Sequence, residues 1–171
     1  MTMILETDRL RLRELVPEDL DFMAEMLWDA DVMRYYPRRL TRDLSAEWIE
    51  RQRERYRADG YGLWLAEDRR SGAHVGQVGL VRQTINGREE CEVGYLLHRP
   101  YWKHGFATEG ATACRDYAFR TLGKPRVVSL IRPENEASQK VARNLGMDVI
   151  GKAPHAGYEH LVFAVDNPNS R

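Results

Sequence analysis

The sequence of 171 residues has few cysteines, no net charge and no long apolar run. Its two cysteines, Cys91 and Cys114, form neither a disulfide framework nor a Cys-x-x-Cys pair. The 26 Lys and Arg residues equal the 26 Asp and Glu residues, which argues against a surface devoted to nucleic acid or an anionic membrane. No apolar run approaches the ~18 residues of a membrane span, and residues 1–13 lack the apolar core of a signal peptide. The sequence therefore predicts a cytoplasmic protein without a nucleic-acid or membrane partner.

Two common phosphate-binding fingerprints, G-x-x-x-x-G-K-[ST] and G-x-G-x-x-G, are also absent, as are Pro/Gly/Ser-rich linkers and internal repeats. Charged residues make up 30% of the chain and hydrophobic residues 43%, which is an ordinary globular composition. A chain near this length buries roughly two thirds of its unfolded surface. We therefore expect one domain over residues 1–171.

Hydrophobic periodicity and turn residues predict a block of strands followed by alternating helices and strands. Pro17 opens the first predicted helix and Ser45 caps the second, and turns at 71–72 and 86–87 join a three-stranded antiparallel meander. The predicted strands are residues 9–13, 61–67, 74–82, 91–98, 126–131, 148–152 and 159–165, and the predicted helices are residues 17–27, 45–57, 105–122 and 135–145. This order is typical of an α+β domain with one mixed sheet.

The loop from Tyr101 to Thr108 connects a predicted strand to the third predicted helix. Gly105 allows a tight turn, and the first amides of the helix have no intrahelical acceptor. These amides, the helix dipole and the side chains of Lys103 and His104 form a candidate site for a phosphate or pyrophosphate group. The alternative is a tight turn whose basic side chains are only solvated.

Four segments together resemble the Gcn5-related N-acetyltransferases (GNAT), and in particular the branch with the ribosomal-protein N-terminal-alanine acetyltransferases. The residues that carry the resemblance are YLLHRPYWKHGFATE at 95–109, LETDRLRLR at 5–13, RPENEAS at 132–138 and LGM at 145–147. The resemblance covers residues 4–165. It implies a mixed, mostly antiparallel central sheet of about seven strands, flanked by about four helices, in a single acyl-CoA N-acyltransferase domain.

The resemblance also implies how acetyl-CoA is bound. The strand before the loop would be splayed from its neighbour, and its free backbone groups would pair with the pantetheine arm and face the thioester oxygen. These groups belong to Tyr95, Leu96 and Leu97. The pyrophosphate would lie on the amides of Lys103, His104, Gly105, Phe106, Ala107 and Thr108. The family often has glycine where this chain has Lys103, whose side chain can offset the change by contacting phosphate.

Two residues of the fourth predicted helix take roles from the same resemblance. Asn135 would hydrogen-bond the pantetheine arm, and Ser138 would be the acid that protonates the departing thiolate, because position 142 is Ala rather than the Tyr of many relatives. The alternative is that Asn135 is only a helix cap and Ser138 an ordinary first-turn residue. For Asn135 the two roles are compatible.

Glu92 is the candidate base, because the amine must lose a proton and the family often has Glu at this place in the central strand. The alternative is a solvent-facing or ion-paired strand residue. Tyr35, in the segment Tyr35–Pro37, and Trp64 are candidates for lining the acceptor pocket, although aromatic clusters more often belong to a core. His155, Tyr158 and His160 lack the spacing of a metal site, and no metal is expected.

We therefore predict an acetyl-CoA-dependent N-acetyltransferase that acts on a protein N-terminus or a small-molecule amine by direct attack in a ternary complex. One alternative is a non-catalytic acyl-CoA sensor or partner-binding domain on the same fold. Another is a nucleotide-phosphate module of unrelated chemistry, which the missing fingerprints disfavour. The acceptor, the preferred acyl length and a homodimeric state stay open.

Overall fold

A computed structural model describes residues 2–170 as a single eight-stranded sheet with helices on both faces. The strands, in the spatial order β1-β2-β3-β4-β5-β6-β8-β7, are β1 Met3–Glu6, β2 Leu10–Arg13, β3 Leu63–Asp68, β4 His74–Ile85, β5 Arg88–Leu97, β6 Arg126–Ile131, β7 Asp148–His155 and β8 Tyr158–Asp166. All neighbours pair antiparallel except β5 and β6. The predicted fold class is confirmed, with one short edge strand more than expected.

Four α-helices cover the sheet: α1 Leu20–Trp28, α2 Arg42–Asp59, α3 Phe106–Arg120 and α4 Glu136–Asn144. The prediction that Ser45 caps the second helix is wrong. Thr41 is the cap, since its side chain accepts a hydrogen bond from the Leu44 N–H at 3.3 Å, and Ser45 is buried within α2. Among residues 2–170, no helix is both long and apolar enough to cross a membrane.

The meander formed by β3, β4 and β5 is the centre of the sheet. Asn86 and Gly87 form the turn between β4 and β5 with φ values of 50° and 77°, the left-handed pair of a two-residue hairpin. Ten consecutive residue pairs then join the two strands without a register shift. This regular pairing fixes which backbone groups of β5 point to β4 and which point to its other edge.

Helix α3 packs closely on one face of the sheet because its inner residues are small. Ala111, Cys114 and Ala118 are fully buried there, and a Cβ on Gly110 would lie 3.2 Å from the Val78 side chain. Both cysteines are free and buried. The opposite face carries α1 and α2, whose apolar side chains form a second cluster around Leu65.

The sheet opens between β5 and β6. These parallel strands share a single bridge, between Glu92 and Val128, and separate beyond it. Strand β6 continues instead as the antiparallel partner of β8. The half of β5 from Gly94 to Leu97 is therefore paired on one side only, and this gap is where the candidate site lies.

Candidate active site

The free edge of β5 presents a short row of backbone groups to the gap. His98 N–H donates to Val75 O at 2.9 Å, so by the alternation of antiparallel pairs the amide groups of Tyr95 and Leu97 point away from β4. The Leu97 carbonyl accepts from Trp102 Nε1 at 2.9 Å. Within residues 2–170, no hydrogen bond uses the Tyr95 N–H or carbonyl or the Leu97 N–H at this edge.

The prediction that the backbone groups of Leu96 are free to pair with a ligand is wrong. It pairs with Gln77 of β4, and the same alternation turns its N–H and carbonyl toward that strand. Three consecutive residues of a strand do not present their backbone groups to one edge, because these groups alternate in direction. Leu96 contributes to the site only as part of the cavity lining.

Six consecutive backbone amides, from Lys103 to Thr108, have no hydrogen-bond acceptor among residues 2–170. Gly105, with φ of 80°, is the N-cap of α3, and Lys103 has φ of 63°. A left-handed lysine is uncommon, whereas glycine adopts this conformation readily. This accounts for the preference of the resembling family for glycine at that position. The loop joins a helix N-terminus to unpaired amides, which is a geometry that suits an anion.

Arg9 holds this loop in place, although no local pattern in the sequence indicates that role. Its guanidinium donates to the His104 carbonyl at 2.8 Å and to Glu109 Oε2 at 2.6 Å, and it lies 4.4 Å from the centre of the Phe106 ring. Burial would raise the pKa of Glu109, but hydrogen bonds from Thr7 and Arg9 outweigh it and leave this pKa lowered. The ionised Glu109 is therefore an anchor that fixes the start of α3 through Arg9.

Asn135 and Ser138 lie at the start of α4, across the gap from β5. Asn135 Oδ1 accepts a hydrogen bond from the Ser138 N–H at 3.2 Å, so this side chain caps the helix. Its Nδ2 has no acceptor among the described residues and is available to a ligand. The Tyr95 hydroxyl donates to the Ser138 carbonyl at 2.8 Å and thereby connects β5 to α4.

A cavity of about 460 Å³ extends from the gap over the face of the sheet that carries α2. Several of the predicted site residues lie together along its wall: Tyr35, Glu92, Tyr95, Leu96, Asn135 and Ser138. Leu97 and the loop residues Lys103, His104, Gly105, Phe106, Ala107 and Thr108 do not line it. The amide loop and the cavity are thus two separate features, connected along the chain through the end of β5.

Glu92 is the single carboxylate in the cavity wall within residues 2–170. Burial raises the pKa of this half-buried carboxyl to about 7, and a hydrogen bond from Gln83 and the charge of Arg55 offset only part of that effect. A carboxyl with this pKa can both accept and release a proton near neutral pH. Partial burial and the neighbouring Glu92 also raise the pKa of Tyr36, a residue that is 37% exposed, so Tyr36 is protonated near neutral pH and can donate a hydrogen bond.

Trp64 does not line the cavity, and the prediction that it borders an acceptor pocket is wrong. Its side chain is fully buried in the core beneath α3, with its ring edge-on to Tyr117 at 5.5 Å. Trp64 lies on the opposite face of the sheet from Leu63 and Leu65 because side chains alternate along β3. Of the two aromatic candidates, Tyr35 lines the cavity and Trp64 does not. Tyr36, the neighbour of Tyr35, lines it as well.

His155 and His160 border the cavity from the hairpin of β7 and β8, with their ring centres 5.3 Å apart. Burial and the neighbouring His160 lower the pKa of His155. Among residues 2–170, no group of three or more His, Cys, Asp and Glu side chains is placed to hold a metal ion.

Comparisons with known proteins agree with this architecture. The family model described as acetyltransferase (GNAT) domain matches residues 9–148. The chain is 38% identical over 144 residues to the Bacillus subtilis (strain 168) protein YkkB, with 84% of each chain covered. It is 27% identical over 150 residues to the N-acetyltransferase YoaA of the same organism, with 86% of this chain and 84% of YoaA covered.

Solved structures with the same fold include an acetyltransferase from Agrobacterium tumefaciens str. C58. That structure has a TM-score of 0.83 and 27% identity, and the match covers 96% of this chain and 94% of the other. The ribosomal-protein-S5-alanine acetyltransferase from Vibrio fischeri has a TM-score of 0.75 and 19% identity, with 98% of each chain covered. The second comparison concerns the fold alone.

Proposed function

The chain belongs to the acetyltransferase (GNAT) domain family and is an acetyl-CoA-dependent acetyltransferase, and we propose that it acetylates a primary amine held in the cavity beside Glu92. The amine is a protein N-terminus or a small molecule, and it attacks directly in a ternary complex. One observation carries this proposal: Glu92, with its pKa raised to about 7, shares one cavity with the open edge of β5 and with Asn135 and Ser138.

The residues around the gap fit acetyl-CoA in charge and in hydrogen-bonding capacity. Acetyl-CoA supplies an activated acetyl group as its thioester. The unpaired amides of Lys103 to Thr108 suit a pyrophosphate. The free N–H and carbonyl of Tyr95 suit an extended arm with amide groups, as an added strand would. The unbonded Nδ2 of Asn135 offers a further donor on the opposite side of the gap.

Glu92 is the proposed base. An α-amino group has a pKa near ~8 and a lysine side chain near ~10.4, so an acceptor amine arrives largely protonated at neutral pH. A carboxylate whose pKa is near 7 takes that proton more readily than an ordinary glutamate does. The proton need not travel far, because Glu92 lies on the wall of the cavity that receives the amine.

Ser138 is the proposed acid for the departing thiolate, directly or through water. Position 142, where many relatives have a tyrosine, is a fully buried alanine here. We expect Ser138→Ala to lower kcat more than it raises KM for acetyl-CoA, because the lost proton donor acts only as the bond breaks. Steady-state kinetics with a saturating amine would measure both constants.

Asn135→Ala is the comparison variant for Ser138→Ala, since it removes the helix cap and the free amide but retains the Ser138 hydroxyl. We expect it to raise KM for acetyl-CoA and to lower the free energy of unfolding by about 1 kcal/mol. If the two variants changed kcat and KM alike, Ser138 would be a structural residue of the first turn and the acid would have to be assigned elsewhere.

The proposed function is tested by incubating the protein with acetyl-CoA and a panel of small amines and N-terminal peptides. Release of free CoA thiol and the mass of the acetylated product would both be followed. We expect acetyl-CoA to raise the melting temperature and at least one amine to gain an acetyl group. Binding of acetyl-CoA without acetylation of any amine would favour the sensor, and absence of binding would contradict the anion site of the loop.

A further inference from the structure

The arginines of helix α2 differ in their ion pairing according to whether they line the cavity. Arg53 and Arg57, which do not line it, both form ion pairs with Glu50, at 2.7 and 2.8 Å. Arg51 and Arg55, which do line it, have no carboxylate partner among residues 2–170. The same helix therefore pairs its outer arginines with a carboxylate, whereas within residues 2–170 Arg51 forms no ion pair and Arg55 is offset only by the charges of Glu92 and Asp59 at longer range.

The cavity wall as a whole is basic. Arg38 and Arg132 also line it, and Arg132 pairs only with Glu134, at 3.4 Å, which lies outside the lining. The wall formed by residues 2–170 thus contains four guanidinium groups and one carboxylate, that of Glu92. The overall balance of 26 basic and 26 acidic residues hides this local excess of positive charge.

Arg51 and Arg55 are four residues apart and so lie on one face of α2, where like charges destabilise a helix. Burial, followed by the charge of Arg51, lowers the pKa of Arg55. Arg55 hence exists at an electrostatic cost that a bound anion would relieve, and Arg51 lines the same cavity one turn away. The planar guanidinium is well suited to bidentate binding of a carboxylate or phosphate.

We propose that the acceptor is a primary amine that also carries a carboxylate or a phosphate, and that Arg51 and Arg55 bind this anionic group while the amine faces Glu92. This inference rests on the proposed function and specifies its substrate class. A cavity of about 460 Å³ is within the range of small-molecule sites. A polycationic acceptor would meet four guanidinium groups and is disfavoured.

The experiment compares matched pairs of amines that differ only in the charged group: amino acids with their carboxamides, and glucosamine 6-phosphate with glucosamine. Spermidine is the cationic acceptor. Binding is measured by calorimetry with the protein saturated with CoA, and kcat/KM is measured with acetyl-CoA. For at least one pair we expect the anionic member to bind about tenfold more tightly or better. The amino-acid pairs test a carboxylate and the glucosamine pair tests a phosphate, so the results show which of the two groups is recognised.

Arg51→Gln and Arg55→Gln are expected to bring the ratio of affinities for the anionic and the uncharged member of that pair close to one, mainly by raising KM for the anionic amine. KM for acetyl-CoA should stay unchanged. Arg53→Gln is the matched control on the outer face of α2 and is expected to retain the preference. The inference is overturned if no anionic amine binds, if neutral or cationic amines are preferred, or if the cavity variants weaken acetyl-CoA binding instead. Failure of acetyl-CoA itself to bind or react would overturn the proposed function, which is a separate result.

Discussion

Replacing Glu92 by glutamine is expected to lower kcat for amine acetylation by about 10²–10⁴-fold, the usual contribution of a positioned base. Glutamine has nearly the same shape but cannot take the proton from the amine. KM for acetyl-CoA should change little, because the amide loop and the Tyr95 edge that we assign to it are untouched. Steady-state kinetics of thiol release would measure both constants.

The pH dependence provides an independent check on Glu92. Burial raises its pKa to about 7, so the carboxylate forms as the pH rises through about 7, and kcat in the wild type should rise over that interval. In Glu92→Gln this limb should disappear. Glu89→Gln, on the same strand but exposed and paired with Arg82 at 2.7 Å, is the control and should keep the wild-type profile. An unchanged profile in Glu92→Gln would remove Glu92 from the mechanism.

The same substitution should stabilise the protein at alkaline pH. Folding raises this pKa from 4.5 to about 7, so the folded state binds more protons in that interval, and stability falls as the pH rises through it. The shift corresponds to at most about 3 kcal/mol, and solvent access to the half-buried carboxyl reduces the expected gain for Glu92→Gln to about 1–2 kcal/mol at pH 8. Denaturant unfolding should find a clearly larger gain at pH 8 than at pH 5, because at pH 5 the carboxyl of the unfolded chain has only begun to lose its proton.

Ala107→Pro is expected to weaken acetyl-CoA binding by about tenfold or more while the protein stays folded. Ala107 is the second residue of α3, where the N–H has no intrahelical acceptor and the φ of proline is tolerated. The substitution therefore removes a donor from the proposed pyrophosphate site without removing a helix hydrogen bond. Losing a hydrogen bond to a charged group costs roughly 1.5–3 kcal/mol. Calorimetry with CoA and circular dichroism would measure binding and folding.

Asp43→Pro is the matched control, since Asp43 is the second residue of α2 and lies at the start of a different helix. It carries the same backbone cost and should leave the affinity for CoA at the wild-type value. Equal loss of affinity in both variants would assign the effect to folding, and undiminished affinity in Ala107→Pro would place the pyrophosphate away from these amides.

Much of the fold could be predicted because its signals are local. The turn at Asn86 and Gly87, the cap at Asn135 and the end of α4 before Gly146, whose φ is 85°, each depend on a few adjacent residues. Thr41 was missed in favour of Ser45 because both precede apolar residues at helical spacing, and only the packed structure decides where the helix begins. Strand β1 has four residues and depends on pairing with β2.

The candidate site was harder to predict because it depends on which side of an element faces the gap. Trp64 and Tyr35 are both aromatic, but alternation along β3 turns Trp64 into the core. The contact of Arg9 with the loop spans 95 residues of sequence and has no local signature. In the sequence, Arg51 and Arg55 cannot be distinguished from Arg53 and Arg57, because all four belong to one charged helix. Only the structure shows that Arg51 and Arg55 line the cavity. Such assignments require the tertiary arrangement.

A crystal structure of the protein with CoA would test the central claim most directly. We expect the pyrophosphate to lie within hydrogen-bond distance of the amides of residues 103–108, and the pantetheine arm to run along the Tyr95 edge opposite Asn135. The sulfur atom of CoA should then face the cavity that Glu92 lines. A pyrophosphate away from the loop, or a sulfur on the far side of the sheet from Glu92, would contradict the account.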